Sequence, residues 1–200
     1  MKRILAFFGA FNPPTLAHLD LARFALEKTG REEALFVPSK TAYIREDQGK
    51  DFAYTDAQRL SMLRAAAEKR PWMRVTDWEM RQEKQPRTYR TLCALREQGM
   101  EAALLMGSDK LAELSSGWLY VEEIAREYGI VCLARGQDAC ESMIRQDPFL
   151  RKIESCIQVL ETPDHLRNVS STAVRRRVAQ MKALQTEIRA MTPAEIFPLL

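Results

Sequence analysis

Histidine is scarce in this 200-residue chain, with two copies, and the four cysteines (93, 132, 140 and 156) show no C-x-x-C spacing. No His/Cys/Asp/Glu cluster has the spacing of a zinc site. Thiols without a framework pattern read as free side chains in a reducing cytoplasm rather than as disulfides. Long apolar runs are missing as well, since nothing approaches the roughly 20 residues needed to cross a bilayer. Charge of one sign is not in large excess: 30 Lys+Arg against 27 Asp+Glu leave a net +3. Basic residues scattered among acidic ones exclude the basic stripe of a nucleic-acid binder, yet the slight positive bias suits small polyanionic substrates. There is no internal repeat, no low-complexity linker, no Walker phosphate loop and no dinucleotide-binding G-x-G-x-x-G. Met1-Lys2-Arg3 followed by an apolar run superficially resembles a signal peptide. The run is short and stops at Asn12-Pro13-Pro14 without a small-residue cleavage pattern, so a first strand is expected instead.

What is present is a core and an alternation. A 46% hydrophobic content over 200 residues suffices for one domain with a sizeable interior. Strand-like apolar runs fall at Arg3–Phe8, Ala34–Val37, Met73–Asp77, Ala102–Met106, Ile130–Ala134 and Ile157–Leu160. Helical patterns separate them at Leu16–Lys28, Thr55–Lys69, Thr88–Gln98, Leu119–Tyr128 and Ala139–Lys152. This order predicts βαβ units with right-handed crossovers: an α/β, Rossmann-like parallel sheet with helices on both faces. The ligand then belongs at the carboxyl ends of the strands. Residues 39–54, rich in charge, are expected to form a surface loop near the site. From Ser171 the pattern is helical to the end, interrupted near Pro193, which gives a single domain over 1–200 with a small C-terminal helical cap at about 171–200.

Two short stretches carry chemistry. Phe8-Gly9-Ala10-Phe11-Asn12-Pro13-Pro14-Thr15-Leu16-Ala17-His18 leads from a buried strand into an amphipathic helix. Backbone N–H groups at such a helix start point at an anion, and the helix dipole adds partial positive charge. Thr15 and His18, three apart, share one face of the first turn. Val169-Ser170-Ser171-Thr172-Ala173-Val174-Arg175 repeats the arrangement, with hydroxyl residues suited to an N-cap and an arginine three residues after Thr172. Two anion-binding helix starts, one with a histidine and one with an arginine, point to a nucleoside triphosphate site.

The first stretch resembles the G-x-F-x-P-x-[HT]-x-x-H signature of the nucleotidyltransferase superfamily, and the second resembles its I-S-S-T-x-x-R signature. Together, over nearly the whole chain, they are similar to the nicotinic acid or nicotinamide mononucleotide adenylyltransferases. That resemblance implies ATP and a pyridine mononucleotide as partners, with Mg²⁺ delivered alongside the triphosphate, in cytoplasmic NAD synthesis. It implies catalytic roles for His18, Thr15 and Arg175 on phosphate oxygens, and an ATP-side role for Gly9, Ala10, Phe11, Ser170, Ser171 and Thr172. Met106-Gly107-Ser108-Asp109-Lys110-Leu111 resembles the family's G-[AS]-D-x-L segment, which assigns Gly107 and Asp109 to the adenylate half.

For the pyridine half, the resemblance assigns Trp118 to stacking on the ring, Trp78 (in Asp77-Trp78-Glu79) and Thr88 to the same pocket, and Arg45 to the place of a phosphate-binding lysine. Each has a plainer reading: a core position for a tryptophan, a solvated loop charge for Arg45, a simple helix cap for Ser108-Asp109. Arg87 and Arg90 stand where bacterial members carry a tyrosine and an aspartate, and Ala17 replaces a glycine. These departures leave nicotinate against nicotinamide open, with Lys40, Arg45, Arg87 and Arg90 all able to meet a carboxylate. The rival enzyme is a pantetheine-phosphate adenylyltransferase or a cytidylyltransferase of the same superfamily. The rival from another class is a non-catalytic nucleotide-binding module. A homo-oligomer is compatible with the sequence, which leaves the assembly state open.

Overall fold

The computed structural model describes residues 1–46, 54–134, 140–164 and 171–191. Its centre is β1 (Lys2–Gly9), whose stretch from Ile4 to Phe8 is apolar with no polar alternation, the pattern of a strand covered on both faces. β1 pairs in parallel with β2 (Glu33–Pro38) on one side and β4 (Met100–Gly107) on the other. With β3 (Met73–Val75), β5 (Ile130–Ala134) and β6 (Ile157–Glu161) they form a six-stranded parallel sheet in the order β3-β2-β1-β4-β5-β6.

Successive residues of a strand point to opposite faces, and the two cores follow that rule. Leu5 and Phe7, with Phe36 and Leu105, meet Ala22, Ala25 and Leu26 of α1 (Leu16–Thr29) and Leu63 of α3 (Asp56–Glu68). Ile4, Ala6 and Leu104 meet Leu92 and Leu95 of α5 (Thr88–Glu97) and Ile124 and Ala125 of α7 (Val121–Tyr128) on the other face. Gly30 closes α1 in the left-handed region (φ 62), its N–H bonded to the Leu26 carbonyl, where a side chain would add strain.

The expected α/β architecture is present; several local boundaries differ. Part of the 39–54 stretch is not loop but α2 (Thr41–Glu46), and residues 47–53 lie outside the described residues. Asp56 Oδ1 accepts both the N–H and the hydroxyl of Thr41, a tertiary contact that local sequence does not display. β3 stops at Val75 because Thr76 Oγ1 accepts the Trp78 N–H and the chain turns into α4 (Trp78–Arg81). α6 (Ser108–Leu111) follows β4 directly. The single helix expected over 139–152 is two, α8 (Cys140–Gln146) and α9 (Pro148–Lys152). Pro148 lacks the N–H to continue α8, and Asp147 caps a new helix by accepting from Phe149 and Leu150. α10 (Ser171–Met191) is the described part of the expected C-terminal cap; residues 192–200, including Pro193, lie outside it.

The sheet order reverses between β1 and β4. The chain runs from β1 outward through β2 and β3, then returns to the opposite side of β1, and the connections leave in different directions. That leaves a crevice at the carboxyl ends of the two central strands. Leu104, 1% exposed in the middle of β4, is a direct test of this core. Leu104→Ala should lower unfolding free energy by about 2–5 kcal/mol, read as a lower urea midpoint with an unchanged denaturant slope.

A candidate active site at the head of β1 and β4

The crevice is a cavity of about 840 Å³ lined from both central strands, by Gly9, Ala10 and Phe11 after β1 and by Met106, Gly107 and Asp109 after β4. The β1 loop is tightly built. An added Cβ at Gly9 would come 3.1 Å from the Phe11 ring, so a side chain there would press that ring back by a few tenths of an ångström. Phe11 is 2% exposed and sits at φ 42, a conformation costly for an aromatic residue unless its surroundings hold it. Its ring packs within 5.2–5.4 Å of the Phe7, Phe36 and His18 ring centroids. Phe11 therefore shapes the cavity floor and braces His18.

A buried arginine holds this loop from beneath. Arg59 of α3 is 0% exposed. Its guanidinium donates to the carbonyls of Ala10 (2.7 Å) and Ser39, and to Asp56 Oδ1 (2.7 Å), while its Nε donates to the Tyr54 carbonyl (3.2 Å). Burial pushes its pKa down and the Asp56 carboxylate pushes it back up. The β1 and β2 loops are thus tied to one point. Asn12, 1% exposed, adds a further tie by accepting the Tyr54 N–H at 2.9 Å.

His18 lines the cavity from the third position of α1. Its Nδ1 lies 3.0 Å from the Thr15 backbone N–H, which can only donate, and 2.8 Å from the Thr15 hydroxyl. Nδ1 is therefore the acceptor, and the proton of the neutral ring belongs on Nε2. Thr15 is 7% exposed and does not line the cavity. The structure places it as the residue that fixes the His18 tautomer and orientation.

The far end of the cavity is lined by Glu79 of α4, Gln85, Thr88 at the start of α5, and Trp118. Glu79 is 2% exposed. Thr91 donates to its Oε1 at 2.7 Å and Gln85 donates to its Oε2. Burial nevertheless pushes its pKa up to about 7. Gln85 in turn accepts the Lys40 backbone N–H at 2.8 Å, and Lys40 Nζ donates to the carbonyls of Met80 and Gln82. This network joins the β2 loop to the α4–α5 connection.

The C-terminal helix docks onto the same β1 loop. Ser171 Oγ donates to the Pro13 carbonyl at 2.8 Å, Arg175 Nη1 to the Asn12 carbonyl at 2.6 Å, and Arg175 Nη2 to Thr172 Oγ1 at 3.1 Å. These partners of Arg175 are neutral oxygens.

Of the residues singled out from sequence, Gly9, Ala10, Phe11, His18, Thr88, Gly107, Asp109 and Trp118 line one cavity. Arg175, Ser171 and Thr172 sit on the adjoining loop contact rather than in the lining, and Ser170 lies outside the described residues. Trp78 and Arg45 are not in the lining either: Glu79 and Tyr43, on the same two helices, are. Sequence reasoning missed Arg59, Glu79 and Gln85. Nothing local distinguishes a buried Arg59 from the exposed Arg64 of the same helix, whereas Glu79 was within reach, since it completes Asp77-Trp78-Glu79. Among the described residues no group of three His, Cys, Asp or Glu side chains is placed to hold a metal ion, and no helix is long and apolar enough to cross a membrane.

The chain is similar to known proteins over most of its length. The family model described as cytidylyltransferase-like matches residues 6–177. A protein of Neisseria meningitidis serogroup B, described as "Probable nicotinate-nucleotide adenylyltransferase", is 32% identical over 90% of this chain and 88% of its own length. The nicotinamide/nicotinic acid mononucleotide adenylyltransferase of Arabidopsis thaliana is 26% identical over 88% of this chain and 80% of its own. Among solved structures, Plasmodium falciparum nicotinic acid mononucleotide adenylyltransferase complexed with NaAD superposes with a TM-score of 0.68 over 88% of this chain and 83% of its own, at 19% identity; this last likeness is one of fold.

The buried Glu79 gives a pH signature. Its native pKa of about 7 lies above the ordinary 4.5, so between those values the folded protein binds a proton that the unfolded chain does not. Stability therefore falls as pH rises from about 4.5 to 7, by an amount on the order of 3 kcal/mol for this group. In Glu79→Gln that slope should flatten, read as the pH dependence of urea midpoints for the two proteins between pH 5 and 8.

Proposed function

We propose a reaction for this chain on the premise that it belongs to the cytidylyltransferase-like family and, within it, to the nicotinate-nucleotide adenylyltransferases. The cavity joins ATP to nicotinate or nicotinamide mononucleotide, giving the NAD-type dinucleotide and pyrophosphate. A phosphate oxygen of the mononucleotide attacks the α-phosphorus of ATP, a new P–O bond forms, and the bond to the β-phosphate oxygen breaks. The nucleophile is already an anion, so no general base is needed, and catalysis consists of alignment and charge stabilisation. The observation that carries this reading is His18: its Nδ1 is occupied by Thr15, so Nε2 is the donor, in a cavity at the switch point of the sheet.

The adenylate half belongs at Gly9–Phe11, Gly107 and Asp109, and the pyridine half at Thr88 and Trp118. Arg175 serves the leaving pyrophosphate. Its described partners are neutral oxygens, so no acid among them offsets its charge. Ser171 and Thr172 hold the helix start that carries it. The triphosphate brings its Mg²⁺ with it, coordinated by phosphate and water. We read the chain as one nucleotidyltransferase domain with a helical cap that begins at Ser171, and free thiols at all four cysteines fit a reducing cytoplasm. The direct test is pyrophosphate release from ATP that requires a pyridine mononucleotide, with nicotinate and nicotinamide forms run side by side. Release in the absence of both mononucleotides, or no release with either of them, overturns the reading.

Two substitutions separate the roles. His18→Ala should lower kcat by about 100–1000-fold, the loss expected for one transition-state donor. Thr15→Ala keeps the backbone N–H on Nδ1 and should cost about tenfold or less. Steady-state kinetics at saturating ATP reads both.

Arg175→Ala should raise the ATP KM and lower kcat together, because it removes pyrophosphate charge and the tie to the Asn12 carbonyl. Arg176→Ala, on a different face of α10, should be near neutral. Equal effects at 175 and 176 would reduce the arginine run to a generic basic patch.

A further inference from the structure

Beside the cavity lies an aromatic contact that the reaction above does not use. Trp118 and Leu119, in the connection between α6 and α7, line the cavity, as does Thr88 at the start of α5. The next residue on each side meets its counterpart: the Tyr89 and Tyr120 rings stack with centroids 5.3 Å apart and planes inclined by 24°. Tyr89 is anchored independently of this stack. Its hydroxyl donates to Glu127 Oε1 at 2.9 Å, Arg96 Nη1 donates to Glu127 Oε2 at 2.7 Å, and the Tyr128 ring packs edge-on at 6.1 Å.

Tyr120 is different. It is 51% exposed and holds φ 62, ψ 30 at the N-terminus of α7. A tyrosine rarely adopts the left-handed region, and burial does not account for a ring that is half in solvent. What the conformation achieves is the stack on Tyr89. Gly117 is fixed on the other side of Trp118 by its N–H on the Glu113 carbonyl at 2.9 Å. The short run 118–119 is therefore held between two fastened points.

We propose that the Tyr89–Tyr120 stack is a strut that sets Trp118 and Leu119 relative to Thr88, making Tyr120 and Tyr89 positioning residues for the pyridine ring of the mononucleotide. The proposal rests on the reading of the Thr88–Trp118 end as the pyridine subsite. The strut acts on the ring-binding end alone, so ATP binding at the Gly9–Phe11 and Gly107 end is untouched.

Tyr120→Gly removes the ring and relieves the backbone at once, while Tyr120→Phe keeps the stack. Tyr120→Gly should raise the mononucleotide KM by about fivefold, the scale of a lost aromatic pair, with kcat and the ATP KM within about twofold of wild type. Tyr120→Phe should match wild type throughout. A second readout needs no turnover. In a Trp72→Phe/Trp78→Phe background, where Trp118 is the remaining tryptophan, Tyr120→Gly should increase acrylamide quenching and Tyr120→Phe should not. Unchanged quenching, an equal rise in both KM values, or a Phe variant that behaves like the Gly variant overturns the strut. Trp118→Ala with a wild-type mononucleotide KM would sink the pyridine reading itself, and the positioning role with it, whatever the quenching shows.

Discussion

The site depends on one buried cation. Arg59 reaches from α3 to the carbonyls of Ala10, Ser39 and Tyr54, and pairs with Asp56. Carbonyls at the ends of parallel strands have no ladder partner, and burying them unpaired is unfavourable. A guanidinium presents five N–H donors in a fixed fork, so a single side chain satisfies loops that leave β1 and β2 in different directions. The charge itself is stabilised by Asp56 and by carbonyl dipoles, and breaking such a buried arrangement costs about 3–5 kcal/mol. With Ala10 fixed, Phe11 can be held at φ 42 under Gly9, and with Phe11 fixed, the His18 ring has a wall to lean on.

The same loop receives the C-terminal helix from above. Ser171 and Arg175 bond to the carbonyls of Pro13 and Asn12, so segments about 160 residues apart in sequence meet at two adjacent carbonyls. A carbonyl is a modest partner for an arginine compared with a phosphate. The contact holds α10 in register without neutralising the charge that a polyphosphate would meet. The opposite end of the cavity is organised by hydrogen bonds through Glu79, Gln85 and Lys40, and by ring packing through Tyr89 and Tyr120.

How much of this was legible in advance follows from the range of each signal. The strand–turn–helix around Gly9–His18 was readable because its apolar run, its prolines and its helix start are contiguous, and each acts within a few residues. Gly107-Ser108-Asp109 was readable for the same reason. Thr15 was expected at a phosphate, and what sequence did not show is its contact with His18 Nδ1, made because the N-cap geometry turns its hydroxyl toward the third helical residue. Trp78 was the candidate there, and its neighbour Glu79, which was not singled out, is the one that lines the cavity. The hydroxyl of Thr76 accepts the Trp78 N–H where the chain leaves β3, so the strand expected through Asp77 ends at Val75 and α4 begins at Trp78.

Sequence alone determined the α/β alternation, the two faces of the central strands, and the two helix starts that carry His18 and Arg175, because periodicity and helix-start chemistry are local properties of the chain. The tertiary structure decided the rest. It chose which arginine of α3 is buried, which carboxylate faces the cavity, which nitrogen of His18 carries the proton, and which tyrosine accepts a left-handed backbone to reach another ring. Each of these is fixed by a partner 3 to 49 residues away in sequence. A side chain acquires a role only when an acceptor, a donor or a ring is brought to it, and apart from the Thr15–His18 pair within one helix start that juxtaposition is a property of the folded chain rather than of a single segment.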